Sequence, residues 1–241
     1  MPYEFENINS FDPEVLQSVR EAIEKLNNIL DEHQINIRFV ARGALEGSYY
    51  KIRYKPDQKG FCSSQVGVRG VGEPTIMTLG PDCKLLGIII HELMHGLGFW
   101  HEHSRSDRDE YIDFFPENLH SRYTQKRSNF NKFKNSINFL SYDYNSIMHY
   151  DSFAFAKNQS SPTIVKKGES GLARLIFKAQ ELSASDIGSI REVYGTVGAQ
   201  QSDALLETAI SGSFIAKPYL RLDGHLYYAT RTHFCLSLIH I

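Results

Sequence analysis

The stretch HELMHGLGFWH, residues 91–101, constrains this chain more than any other. It follows the apolar run LLGIII, and one helix should carry LLGIIIHELMHGLG. On a helix, positions i and i+4 share a face, so His91 and His95 can both reach one metal ion. Glu92 sits one residue along and points partly toward the same place, close enough to handle a metal-bound water. The helix must then end to bring a third ligand round. Gly98 is where a positive φ could make that turn, and His101 follows three residues on. Three imidazoles leave a coordination position open, the mark of a catalytic rather than a structural zinc site. The pattern H-E-x-x-H-x-x-G-x-x-H fixes five positions over eleven residues, and a chance cluster on a polar helix rarely sets all five.

The rest of the chain is compatible with a globular enzyme. Its 241 residues suit one large domain or two small ones. A net charge of −2 gives no global pull toward nucleic acid or an anionic membrane. The longest apolar runs fall far short of the roughly 20 residues that a bilayer span needs. Residues 1–20 lack the basic start and apolar centre of a secretory leader. Three cysteines are too few for a disulfide-dense scaffold.

Asp12 and Pro13 read as the N-cap and first residue of an amphipathic helix reaching about His33. Short β-like runs follow: IRFV from 37, YYKIRY from 49, VGVR from 66 and TIMTL from 75. A third helix is expected from about Pro116 to Asn129. A fourth is expected from Ser183, with Asp186 at the capping-box position, stopping before Gly195. Strands come early and irregular chain late, which is an α+β pattern.

The zinc pattern names the metzincin clan, whose members place a methionine-containing turn under the metal. SIMHY, residues 146–150, is the candidate for that turn, with Met148 as its methionine. GFWHEHSRSDRDEYI then resembles the astacin signature, in which the third histidine is followed by Glu and an Arg-x-Asp-Arg-Asp run. Here these are Glu102, Arg105, Asp107, Arg108 and Asp109. PYEF, IRFVAR, CSSQVG, YDYNSIMHY, PTIV and LSASDI fall in family order over residues 2–196.

The resemblance implies a two-subdomain protease. A twisted mixed sheet and long helices would form the N-terminal part. A less regular C-terminal part would follow, with the cleft and its metal between them. It implies one Zn2+ held by His91, His95 and His101, with Glu92 as general base acting on a zinc-bound water. Tyr150 would be an additional ligand at rest that moves to the oxyanion during turnover. Glu102 would contact the mature N-terminus, and Cys62 and Cys83 would form a disulfide. That bridge would close a loop of about 20 residues, worth roughly 3 kcal/mol on the chain-entropy model.

The usual second bridge is missing, with Asn36 and Thr196 at its positions, which should leave the terminal helix less tightly tied. The family's leader, propeptide and first dozen mature residues are not visible, so the start reads as truncated, misassigned or shortened. GLARLIFKAQ, residues 171–180, departs from the family pattern. Arg174 or Lys178 there could favour acidic substrate residues, or be solvated loop charges. His103 reads as a solvated surface histidine, and RYTQKRSNFNKFK as a solvated basic helix and loop. Asn158-Gln159-Ser160 is a glycosylation sequon.

The expected protein is a secreted zinc endopeptidase acting on proteins or peptides, with no nucleic-acid partner and no membrane span. Its catalytic domain would cover residues 1–196. The tail, 197–241, would be a truncated second domain or partly non-native, with Cys235 unpartnered. The alternative is a catalytically silent binding module on the same scaffold, against which the intact His91, Glu92, His95, His101 and Tyr150 argue.

Overall fold

The structure is a computed structural model. It describes residues 1–43, 47–69, 72–134 and 136–197, and the backbone of two short strands further on. The expectations for the rest of the tail, including Cys235, lie outside the described residues. The chain divides into two compact units. Among the described residues, one holds Met1–Phe99 and the stretch from Ser189 to Val197, and the other holds Trp100–Gly188.

In the first unit, helix α1 runs from Pro13 to Glu32. The Asp12 carboxylate caps it, accepting from the backbone N–H groups of Glu14 and Val15 at 3.0 and 3.1 Å. Val15, Val19, Ala22, Ile23, Leu26 and Leu30 form its buried stripe. Five strands make one sheet: β1 (Pro2–Glu6), β2 (Val40–Ala41), β3 (Tyr50–Tyr54), β4 (Cys62–Ser64) and β5 (Thr75–Leu79). Their order is β2-β1-β3-β5-β4, with only the β4–β5 pair antiparallel. Register sends Tyr50, Ile52, Met77 and Leu79 into the core.

Two of the expected strands are not where the apolar runs place them. Residues 37–39 stay outside the ladder because Asn27, buried on α1, takes both backbone groups of Phe39. It donates to the carbonyl at 2.9 Å and accepts from the N–H at 2.8 Å. The VGVR run is a loop. Gly67, at φ 73°, donates to the His95 carbonyl at 2.8 Å, while its own carbonyl accepts from the Thr75 hydroxyl at 2.8 Å. The strand lies just before it, at Cys62–Ser64, too short and polar to signal itself.

Helix α2 spans Leu86–Gly96, and every residue from Gly87 onward is buried. It is apolar nearly all round, as a helix enclosed by its own protein should be. Cys62 on β4 is disulfide-bonded to Cys83, three residues before the helix starts, with Cα atoms 5.9 Å apart.

The second unit is less regular. Strands β6 (Ile112–Phe114) and β7 (Ile164–Lys166) pair antiparallel over a core that includes Phe130, Tyr142, Tyr150, Phe155 and Ile176. The expected third helix is instead two 3₁₀ segments, Pro116–Asn118 and Ser121–Phe130. They are separated where Leu119 bridges Ala156 and the His120 N–H donates to the Phe155 carbonyl. That lateral pairing takes backbone groups which a continuous α-helix would use.

Helix α3, Ala184–Tyr194, begins in this unit and ends in the first. Its capping box forms as expected: Asp186 N–H donates to the Ser183 hydroxyl at 3.0 Å, and Ser183 N–H to the Asp186 carboxylate at 2.9 Å. In place of the absent second bridge, Ile35 and Thr196 form an antiparallel β-bridge. Asn36 N–H donates to Gly195 O at 3.0 Å, and Val197 N–H to Gln34 O at 2.8 Å. Two further strands, β8 (Lys217–Leu220) and β9 (Leu226–Ala229), pair antiparallel.

Candidate active site

The side-chain nitrogens of His91, His95 and His101 lie within 4.8 Å of one another, and all three residues are buried. His91 and His95 come from one face of α2, their rings edge to face at 4.7 Å. Gly98 then takes φ 97°, and its N–H donates to the His95 carbonyl at 2.8 Å, which turns the chain toward His101.

The donor set fits a zinc ion. Burial lowers the His95 pKa to about 4, so its ring is a neutral donor over the physiological range. Its Nδ1 faces the Phe99 carbonyl at 2.7 Å. Donation there fixes the tautomer and keeps the Nε2 lone pair for a metal.

Glu92 is fully buried on α2 beside His91. Its helical turn is braced from below. Tyr50, fully buried on β3, donates its hydroxyl to the Glu92 carbonyl at 2.7 Å and is also bonded to the Ser64 hydroxyl. Burial pushes the Tyr50 phenol well above its usual pKa, so it remains a donor. Gly96 completes the fit, because a Cβ there would lie 2.8 Å from the Tyr50 ring.

The 146–150 turn is buried, and its anchor is Asp186. This carboxylate accepts from the Ser146 hydroxyl at 2.6 Å and the Ile147 N–H at 2.9 Å, besides capping α3. Burial raises its pKa, against the hydrogen bonds that lower it. The sequence marks Asp186 only as a cap; its second role involves residues 40 positions away, which no local signal reveals. Met148 donates its N–H to the Ser146 hydroxyl at 3.0 Å, and its carbonyl accepts from Glu102 N–H at 3.0 Å. The segment carrying the third histidine is thereby tied to the methionine turn.

Tyr150 is buried, its ring 4.5 Å from that of His101. His103 is not the solvated residue expected. It is completely buried, stacked at 4.0 Å on Tyr150 and 5.0 Å from His101, with Nε2 on the Asn129 carbonyl at 3.0 Å. Alternation alone cannot mark a histidine as buried in a 3₁₀ turn. His149 is also buried. Its Nδ1 donates to the Tyr150 carbonyl at 2.6 Å, so its Nε2 accepts from the Tyr142 hydroxyl at 2.7 Å. Burial lowers its pKa to about 4.

Glu102 accepts from Arg105 and from the Asp143 N–H, both at 2.9 Å, and burial pushes its pKa up to about 7. The Met1 amino group donates to the Arg38 carbonyl at 2.6 Å. In the 171–180 segment, Leu172 and Phe177 are largely exposed while Ile176 is buried.

Comparison with known proteins agrees with this geometry. Residues 1–195 match the family model described as Astacin, a peptidase family. The chain is 43% identical over 140 residues to zinc metalloproteinase nas-6 of Caenorhabditis elegans, covering 56% of this chain and 39% of that protein. It is 36% identical over 162 residues to human Tolloid-like protein 1, covering 66% of this chain and 15% of the relative. It thus spans well under half the length of these curated relatives.

Among solved structures it resembles high choriolytic enzyme 1, a hatching-enzyme zinc protease of the medaka Oryzias latipes. The TM-score is 0.64 at 28% identity, over 82% of this chain and 90% of that one. The α+β architecture is shared with that structure. With the family pattern matched over four-fifths of its length, the chain belongs to the astacin family of peptidases.

Proposed function

We propose that this chain is a zinc endopeptidase that hydrolyses peptide bonds in proteins. The observation that carries the reading is the convergence of three buried imidazoles, with a buried glutamate next to the first of them. His91, His95 and His101 would hold the ion. A bound zinc supplies Lewis acidity, bringing the pKa of water toward neutrality and polarising the scissile carbonyl.

The chain's own groups do the remaining work. Glu92 accepts the proton of the attacking water at its carboxylate and returns it to the leaving amine nitrogen. Tyr150 donates its phenol hydrogen to the oxyanion as it develops. Met148, held by Ser146 and Asp186, keeps the floor beneath the histidines in place. Glu102, with Arg105, orders the segment after the third ligand and is the residue that a mature N-terminus would reach.

Residues 1–196 make up the catalytic domain in this reading. Secretion is inferred from the Cys62–Cys83 disulfide, which persists in oxidising compartments. Among the described residues, no helix is long and apolar enough to cross a membrane.

The test is metal content and cleavage of a quenched peptide library by the oxidised protein, with and without a chelator. One zinc per chain and chelator-sensitive internal cleavage is the expected result. Zinc without cleavage would favour a silent binding module, and absence of zinc would refute the site.

A further inference from the structure

The sequence contains a single Asn-x-Ser/Thr triplet, Asn158-Gln159-Ser160, and the proposed reaction makes no use of it. Residues 157–160 are all exposed. The stem beneath them is fixed. Lys157 N–H donates to the Asn118 carbonyl at 2.8 Å, and the Asn118 side chain donates to the Pro162 carbonyl at 2.7 Å. The triplet therefore projects from a pinned base.

Within it, Ser160 N–H donates to Asn158 Oδ1 at 2.9 Å, closing an Asx turn. A hydrogen bond to that oxygen draws density out of the carboxamide and makes an Nδ2 proton easier to lose. Neither Gln159 nor Ser161 is proline, so no fixed φ or missing N–H opposes the turn. The Cys62–Cys83 bridge is a second, independent pointer to the compartment in which such an asparagine is modified.

We infer that Asn158 is an N-glycosylation site, taking a preassembled oligosaccharide from a lipid-linked pyrophosphate donor. The inference rests on the secretory reading above. In the transfer, a bond forms between Asn158 Nδ2 and the anomeric carbon while the bond from that carbon to the pyrophosphate oxygen breaks. The lipid pyrophosphate leaves with the electron pair, Nδ2 gives up one proton to a base, and nothing is oxidised or reduced.

The experiment expresses the full chain behind a cleavable secretory leader in insect cells and weighs the Asn158 peptide before and after N-glycosidase treatment. The same digest reports whether Cys62 and Cys83 are joined. Expected is an oligosaccharide mass that the glycosidase removes, converting the asparagine to aspartate. It should be absent in Ser160→Ala and retained in Ser161→Ala. A disulfide-bonded chain with unmodified Asn158 would overturn this site and leave the secretory reading standing. A chain whose cysteines stay reduced after entry would overturn that reading, and this inference with it.

Discussion

Two residues on α2 make the proposed chemistry testable in opposite ways. Glu92→Gln keeps the shape and the three histidines but removes the proposed proton acceptor. It should bind zinc as the parent does and lose on the order of 10²–10⁴-fold in peptide hydrolysis. Metal analysis beside a turnover assay checks this, and near-parental cleavage would remove Glu92 from its role. Gly96 probes packing instead. Glycine to alanine inside a helix usually gains up to about 1 kcal/mol. Here the new Cβ would meet the Tyr50 ring at 2.8 Å, and that ring is held by Ser64 and by the Glu92 carbonyl. Overpacking of this kind costs typically about 1–3 kcal/mol, so it should win. Gly96→Ala should lower the urea midpoint, with cleavage falling as the Glu92 turn shifts.

Among the elements, α3 matters through its first turn. Asp186 joins that turn to the methionine turn, accepting from Ser146, Ile147 and Ser183. Asp186→Ala would strand these donors in a buried place, at about 1–3 kcal/mol for each one left unsatisfied. We expect a loss on the order of 3 kcal/mol in denaturant unfolding, together with reduced activity; a stable, fully active variant would refute the link. The stretch after the third histidine has a pH signature. Arg105 donates to both carboxylate oxygens of Asp107, at 3.0 and 2.8 Å, and holds its pKa below the usual carboxylate value. The unfolded chain then takes up this proton first as pH falls. The contribution is therefore complete above the unfolded pKa of about 3.9 and is lost as pH drops through the lower folded value. Urea midpoints measured from about pH 6 downward should show a shallower acid limb in Asp107→Asn.

For the whole molecule, the disulfide ties β4 to the approach of α2 across a sequence separation of 21. Reducing it frees a loop worth roughly 3 kcal/mol on the chain-entropy model, which should appear as a clear drop in Tm with reductant. An unchanged Tm would mean that the packing around Cys62 and Cys83 suffices.

What the sequence determined by itself follows from local periodicity and spacing. The i, i+4 histidines, the glycine turn, the Asp12 cap and the Ser183–Asp186 box depend on neighbours within a few residues, and all are legible in one dimension. Tertiary structure decided the rest, because long-range partners compete for the same backbone and side-chain groups. Asn27 took Phe39 out of the sheet, Gly67 turned to α2, and the bridge at Leu119 broke an expected helix. Burial of His103 against Tyr150, and the second task of Asp186, exist only because segments distant in sequence are packed together.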